Sequence, residues 1–450
     1  MKNNVHLRYA TRSVPRYTSY PTAPHFNAEV NGTVYAEWLA ALPADASVSL
    51  YLHVPYCRSI CHYCGCHTKA ALRDDPVIEY AETLAAEINL VADTIGRKAK
   101  VTHIHWGGGT PSLLPEASFD KVMAAIRARF DLTGLIEHAT ELDPRTVTAD
   151  LARSLVGAGV TRASLGVQDF DADVQVAIGR VQPFEVVEAA VGFLRAAGIT
   201  ALNFDLMYGL PRQSAESIRE TVRLATLLAP TRLALFGYAH VPWFKKHQRL
   251  IDEAALPGAT ERMALEDIAR QALADAGFLP VGLDHFARAD DAMAKALAAG
   301  ELKRNFQGYT TDDADTLIGL GASSIGRMPQ GFVQNNPDIG GWRRSVEAGE
   351  LPAVKGKALD ADDRLRADLI ERLMCDYRVD LREVCARHGV SAATLADGVA
   401  QLDELERDGL LIRDGDSIAM TTDGRPFVRI AAAAFDVYLA RAAARHSLAV

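Results

Sequence analysis

Between about residue 48 and residue 240, short β-branched or apolar runs alternate with amphipathic stretches at helical spacing. Repetition of that kind marks consecutive βα units, which fold into a parallel sheet with helices packed outside it. The predicted strands are 48–54, 101–106, 135–142, 160–168, 201–208 and 232–239. Helical patterns run between them over 77–95, 114–130, 184–197 and 215–228, punctuated by Gly96, Gly198 and Pro230. Six strands predict a partial barrel, and no shorter repeat is superimposed on this rhythm.

The flanks read differently. Residues 1–47 show no βα unit and carry the run PRYTSYPT at 15–22, so they are expected to form an arm or cover without strand or helix of its own. Residues 255–355 extend the barrel with a helix near 260–276 and glycine-rich loops at 319–326 and 331–341. From Asp360 onward the order is helix, short helix (381–388), helix (391–407), a hairpin turning at Asp414-Gly415-Asp416 and a last helix, an order that resembles a winged helix-turn-helix. The predicted division is therefore an arm (1–47), a barrel with its extension (48–355) and a mostly helical, winged-helix-like domain (356–450).

Charge decides how that last domain is read. Residues 360–450 hold 17 acidic against 12 basic side chains, and the whole chain has a net charge of −9. Phosphate neutralisation needs clustered Lys and Arg, so no nucleic-acid partner is expected, and the domain is read as a cap on the barrel. The first residues lack an apolar signal region, and no window approaches the roughly 18 apolar residues of a membrane span. A cytoplasmic protein with no membrane partner is expected. The Ala-rich stretch 430–445, interrupted by Asp436, Arg441 and Arg445, is read as a packing helix. No heptad seam is present, so a monomer is expected.

Four of the six cysteines, Cys57, Cys61, Cys64 and Cys66, crowd into ten residues directly after the first predicted strand. Such crowding indicates metal or redox chemistry rather than a disulfide framework. The loop leaves the C-terminal end of a strand, where parallel α/β folds build their sites. Thiolates spaced C-x-x-x-C-x-x-C can each take one iron of a cubane, leaving the fourth iron open to a small molecule. A structural zinc site is the competing assignment, with His62, Cys66 or His67 as fourth ligand, but no second knuckle accompanies it. Cys375 and Cys385 read as buried thiols. His103 and His105 share one strand face without a third ligand in view and are assigned to packing.

The motif C-x-x-x-C-x-aromatic-C, with Tyr63 in the aromatic place, resembles the radical S-adenosylmethionine (SAM) superfamily signature. The GGGTP run at 107–111, after the second strand, fits the same resemblance as a cradle whose backbone N–H groups approach the methionine moiety of SAM. Within that superfamily the chain resembles the oxygen-independent coproporphyrinogen III oxidases from Pro15 almost to its end. The matching segments are PRYTSYPTA (15–23), CGC (64–66), GLDHFA (282–287), RNFQGYTT (304–311) and LIGLGASSIG (317–326). Related haem chaperone-like proteins usually carry Phe at the place of Cys66 and lack the arm.

That resemblance implies a partial (β/α)6 TIM-like barrel of the radical SAM type and one [4Fe-4S] cluster on Cys57, Cys61 and Cys64. It implies two SAM molecules. The one on the cluster would meet Tyr51, Gly108, Glu141 and Ile325; the second would meet Tyr63, Gly109, Thr110, Gln168, Arg180, Asp205 and Ala239. Strand alternation agrees in part, since Gln168 and Asp205 fall opposite their apolar neighbours, as lumen-facing residues do. Cys66, Tyr51 and Glu141 are the implied catalytic residues. The implied reaction converts two propionates of coproporphyrinogen III to vinyl groups, with a low-potential reductant such as flavodoxin as electron source. Another radical SAM enzyme acting on a tetrapyrrole, a haem chaperone-like relative and a cluster-bearing regulator are the competing functions. The arm's Arg8, Arg12, Arg16, Tyr9, Tyr17 and Tyr20 suit a lid over a substrate with four carboxylates; a structural strap is the alternative.

Overall fold

A computed structural model describes residues 2–314 and 316–439. Its centre is a twelve-stranded mixed sheet: β1 (Ser47–Val54), β2 (Lys100–Gly108), β3 (Glu137–Leu142), β4 (Arg162–Gln168), β5 (Ala201–Tyr208), β6 (Arg232–Gly237), β7 (Leu279–Val281), β8 (His285–Ala287), β9 (Thr316–Leu320), β10 (Ile325–Met328), β11 (Gly331–Asn335) and β12 (Ala353–Ala358). The order is β12-β11-β10-β9-β1-β2-β3-β4-β5-β6-β8-β7. The seven strands from β9 to β6 are parallel, and the flanking strands run antiparallel. The two edges, β12 and β7, do not meet, so the barrel is open.

Each predicted strand is present, shorter or longer by a few residues. The difference lies at β9, a seventh parallel strand that runs into the start of the segment read as a glycine-rich loop (319–326). Gly319 stands opposite Tyr51 of β1, and a Cβ there would fall 2.8 Å from the Ile325 backbone. Glycine thus permits the sharp return from β9 into β10, and the composition that hid the strand makes the return possible.

Alternation along the strands sorts core from lumen. Leu50, Leu52 and Val54 of β1, with Val101, Ile104 and Trp106 of β2, are buried against the outer helices, chiefly Asp75–Ile95 and Glu116–Arg129. The first of these helices also carries a buried acid, Glu87, which accepts hydrogen bonds from the Gly321 amide (2.7 Å), Asn335 Nδ2 (2.6 Å) and Trp342 Nε1 (3.0 Å). Burial pushes its carboxyl up to about 7 against the pull of those three donors. Glu87→Ala would strand all three, and a stability loss of about 3 to 5 kcal/mol, read as a lowered thermal midpoint, is expected. An unchanged midpoint would show that water replaces the carboxylate there.

The arm departs most from expectation. It contains helices at Lys2–Ala10 and Gly32–Ala40, the second capped by Asn31, whose side chain accepts from the Thr33 and Val34 amides. Tyr9, Val14, Tyr17 and Tyr20 are buried in one hydrophobic cluster with Leu365, Leu369, Phe427 and Phe435. Arg12 pairs with Glu404 at 2.7 Å, and the Tyr17 hydroxyl donates to Asp436 at 3.0 Å. Charged and aromatic side chains hid this anchoring because their partners lie some 400 residues away in sequence. The segment after Asp360 contains a helix (Ala361–Asp376), a short helix (Leu381–Arg387) and a three-stranded sheet of Arg378–Asp380, Leu411–Asp414 and Ser417–Met420, the last two joined at the expected turn. The single helix expected over 391–407 is instead three short pieces, Ala392–Leu395, Ala396–Ala400 and Asp403–Arg407. The expected packing helix at 430–445 is seen as Val428–Ala433, and its part beyond residue 439 lies outside the described residues. No helix among the described residues is long and apolar enough to cross a membrane.

Candidate active site

The cysteine loop leaves β1 at the C-terminal mouth of the barrel, and its backbone is fastened at several points. The His62 amide donates to Ile178 O (2.9 Å), and the carbonyls of Tyr63, Cys64 and Cys66 accept from Gln248 Nε2 (2.8 Å), His247 Nε2 (2.7 Å) and Lys245 Nζ (2.8 Å). These three clamping residues were not anticipated. They belong to the connection after β6, and their position beyond a strand's C-terminal end was the available signal.

Each thiol has its own surroundings. Cys57 Sγ accepts from Thr68 Oγ1 and Thr110 Oγ1, both at 3.4 Å; burial pushes the thiol up while the two hydroxyls pull it down. Cys61 Sγ accepts from Arg180 Nη1 at 3.4 Å. A hydrogen bond with Cys66 brings Cys64 down to about 6 and pushes Cys66 up. Among the described residues no three His, Cys, Asp or Glu side chains converge on a single-ion position. One tetrahedral zinc would draw its sulfurs to about 3.8 Å of each other at ~2.3 Å Zn–S bonds, whereas a cubane gives each thiolate a separate iron. Three thiols with separate surroundings are the kind of donor set a cubane takes.

On the lumen side, Tyr51 stacks on His105, and its hydroxyl donates to His53 Nδ1 at 3.0 Å. Burial holds His53 down to about 4, so the ring is neutral and its Nε2–H donates to His67 O at 3.0 Å. His105 Nε2 lies 3.4 Å from Glu141 Oε1. His105 thus belongs to the site wall, while His103 sits lower beside Asp312 at 3.2 Å. Their shared strand face and the neighbouring strand that carries Glu141 were legible, but the pairing of His105 with Glu141 and the approach of Asp312, from the loop before β9, were not.

The glycine loop works differently from expectation. The N–H groups of Gly108, Gly109 and Thr110 are taken by Glu141 Oε2 (3.1 Å), Val54 O (2.8 Å) and Tyr56 O (2.7 Å). A Cβ at Gly108 would lie 2.6 Å from the His53 ring, and one at Gly109 would lie 2.5 Å from Tyr56 O. The glycines let the loop press onto the cysteine-bearing strand; the Gly109 and Thr110 amides lace it there, and the Gly108 amide is held by Glu141 of β3.

Across the lumen, Arg180 bonds Gly166 O at 2.9 Å and lies 3.3 Å from Asp143. Burial works against its charge, but Tyr63, Asp143 and Cys61 hold it cationic; its Nε remains buried without a partner. Gln168 adopts φ +68 at a bulge between β4 and β5, a backbone state rare outside glycine and frequent where a side chain must be aimed. Asp205 accepts from Ser164 Oγ (3.1 Å) and Asn203 Nδ2 (2.9 Å), and burial together with Glu141 pushes it up to about 6. Ile325 opens β10 beside Gly319, the register partner of Tyr51, and Ala239 lies in the loop two residues past the end of β6. Tyr51, Glu141, Gln168, Asp205 and Arg180 therefore line one lumen, with the cysteine loop above it.

Comparison with known proteins follows the same outline. Residues 51–225 match the Radical SAM superfamily model, and residues 359–427 match the HemN C-terminal domain. The chain is 51% identical over 450 residues to the oxygen-independent coproporphyrinogen III oxidase of Bradyrhizobium diazoefficiens, covering 100% of both chains. It is 43% identical to that of Paracoccus denitrificans, covering 97% of this chain and 96% of the relative. The solved coproporphyrinogen III oxidase (HemN) of Escherichia coli superposes with a TM-score of 0.90 at 35% identity, over 94% of this chain and 98% of that one.

Proposed function

The chain belongs to the oxygen-independent coproporphyrinogen III oxidase family of radical SAM enzymes, and from that premise we propose that it converts coproporphyrinogen III to protoporphyrinogen IX without oxygen. Family membership brings a [4Fe-4S] cluster and SAM. The observation that best supports the reading is the cysteine loop clamped over a lumen lined by Tyr51, Glu141, Gln168, Asp205 and Arg180.

Cys57, Cys61 and Cys64 hold the cluster in this reading. Tyr51, Gly108, Glu141 and Ile325 receive the SAM bound to it; Tyr63, Gly109, Thr110, Gln168, Arg180, Asp205 and Ala239 receive a second SAM. Bound and reduced, the cluster and SAM would supply the radical chemistry by which a propionate is oxidatively decarboxylated to a vinyl group. The protein positions the reacting groups and excludes water. Arg180 offers a fixed cation suited to a carboxylate. Tyr51 and Glu141 orient the reacting centre, and Cys66, next to the cluster but not one of its ligands, serves catalysis or second-SAM geometry. A low-potential carrier such as flavodoxin supplies electrons, and the working enzyme is a cytoplasmic monomer. Residues 48–355 form its catalytic unit, 1–47 its arm and 356–450 its C-terminal domain.

The test is anaerobic turnover of coproporphyrinogen III with SAM and reductant, followed by product analysis. Formation of protoporphyrinogen IX supports the reading; methylated or ring-opened tetrapyrrole overturns it. Cys66→Ser is expected to keep its iron while losing decarboxylation, and loss of iron in that variant would make Cys66 a ligand.

A further inference from the structure

A cavity of about 400 Å³ opens at the mouth of the barrel beside β5 and β6. Four arginines line it: Arg16 from the arm, Arg262 from the helix Ala259–Asp275, Arg304 from the strand Lys303–Asn305, and Arg429 from the helix Val428–Ala433. Three separate parts of the chain thus deliver guanidinium groups to one space. Its carboxylates are fewer: Asp284, which pairs with His285 at 2.7 Å and also acts on Arg16, Arg304 and Arg429, and Glu266, which pairs with Arg270 at 3.1 Å and also acts on Arg262.

Several observations mark this as a built anion site. Arg304 is only 8% exposed, yet its Nη1 has no partner, and Arg262 Nε is likewise buried without one. Burial, and then repulsion by Arg16 and Arg304, brings Arg429 down to about 10 against the opposing pull of Tyr208 and Asp284, so an anion entering the space relieves that repulsion. Arg16 Nη2 and Arg262 Nη1 hold carbonyls at the end of β6, Gly237 O (3.3 Å) and Tyr238 O (2.8 Å). The intervening wall is aromatic, formed by Tyr208, Phe236, Tyr238 and Trp243. An aromatic wall rimmed by cations fits an apolar tetrapyrrole with an anionic edge.

The cavity also communicates with the cysteine loop. Ala239 lines it, and one amide, Gln248 Nε2, bonds both Ala239 O (3.3 Å) and Tyr63 O (2.8 Å). A second cavity, of about 580 Å³ between the arm and the C-terminal domain, is lined by Lys303, Arg304, Arg327, Arg364 and Arg387 against Asp312, Asp313, Asp368 and Glu371. Its cations are nearly balanced, whereas in the first cavity four arginines face two carboxylates.

We infer that Arg16, Arg262, Arg304 and Arg429 form the receptor for propionate carboxylates of the tetrapyrrole and present its edge to the lumen. This assignment rests on the proposed reaction, since that reading supplies the substrate class. It makes the arm a contributor to substrate binding and not only to folding.

The test uses anaerobic holoenzyme and two fluorescent probes, coproporphyrin III and its tetramethyl ester, which lacks the carboxylates. Arg16→Gln, on an exposed side chain, and Arg262→Gln are each expected to weaken coproporphyrin binding and raise KM by about tenfold to a hundredfold, the range for one lost charge-assisted hydrogen bond. Iron content and substrate-independent SAM cleavage should stay at the wild-type level, and Arg16→Lys and Arg304→Lys should retain part of the affinity. Ester binding should be insensitive to all four variants. Arg16→Gln and Arg262→Gln proteins that both bind coproporphyrin as wild type does would overturn the receptor. A wild-type enzyme that binds coproporphyrin through these arginines but never converts the porphyrinogen would overturn the reaction and leave the receptor standing.

Discussion

Serine at Cys57, Cys61 or Cys64 is expected to abolish the brown chromophore that anaerobically purified enzyme should carry, with about four irons and four sulfides per chain in the wild type. The expectation follows from the separateness of the three thiols. Cys57 is addressed by two threonine hydroxyls, Cys61 by Arg180 and Cys64 by Cys66, so none can stand in for another at its own iron. Loss of any one leaves a cubane with two protein ligands, and turnover should fall to background. Iron analysis and the visible spectrum check this directly. Stoichiometric zinc after anaerobic reconstitution, or a serine variant with full iron, would contradict it.

Deleting residues 1–22 should have the second largest effect, and it should fall first on the C-terminal domain. Tyr9, Val14, Tyr17 and Tyr20 bury their side chains among residues 365–435, and removing them exposes that cluster to water. Burying a large side chain is worth about 1.5 to 3 kcal/mol, so losing four removes a sum comparable to the whole margin of about 5 to 15 kcal/mol of an ordinary domain. Limited proteolysis should then cut between residues 360 and 439 while the barrel fragment keeps its iron, because the cysteine loop is fastened to β6 and its connection. Turnover should be lost in the truncated protein. A truncated enzyme that resists protease and converts substrate would overturn both the anchoring and the binding role of the arm.

Much of the barrel was legible because βα periodicity is a local signal. Strands β1 to β6 and their helices announce themselves through alternation, and the cysteine motif marks the mouth. What escaped was written in distant partners. Strand β9 is five residues with a glycine at its fourth position, and only pairing with β1, over 260 residues earlier, makes it a strand. The arm's tyrosines have no periodicity that points at Phe427 or Phe435. Lys245, His247 and Gln248 act through backbone carbonyls, which no side-chain pattern encodes. The strained Gln168 could be suspected from alternation as lumen-facing, but its φ of +68 depends on a bulge set by the neighbouring strand.

The shared core of the arm and the C-terminal cluster also sets a schedule for synthesis. Residues 9–20 emerge from the ribosome early, while residues 365–435 emerge near the end, on the order of tens of seconds later at 5–20 residues per second. For that interval the arm's tyrosines lack the partners that bury them, so the shared core of the two ends closes only when the last helix is made.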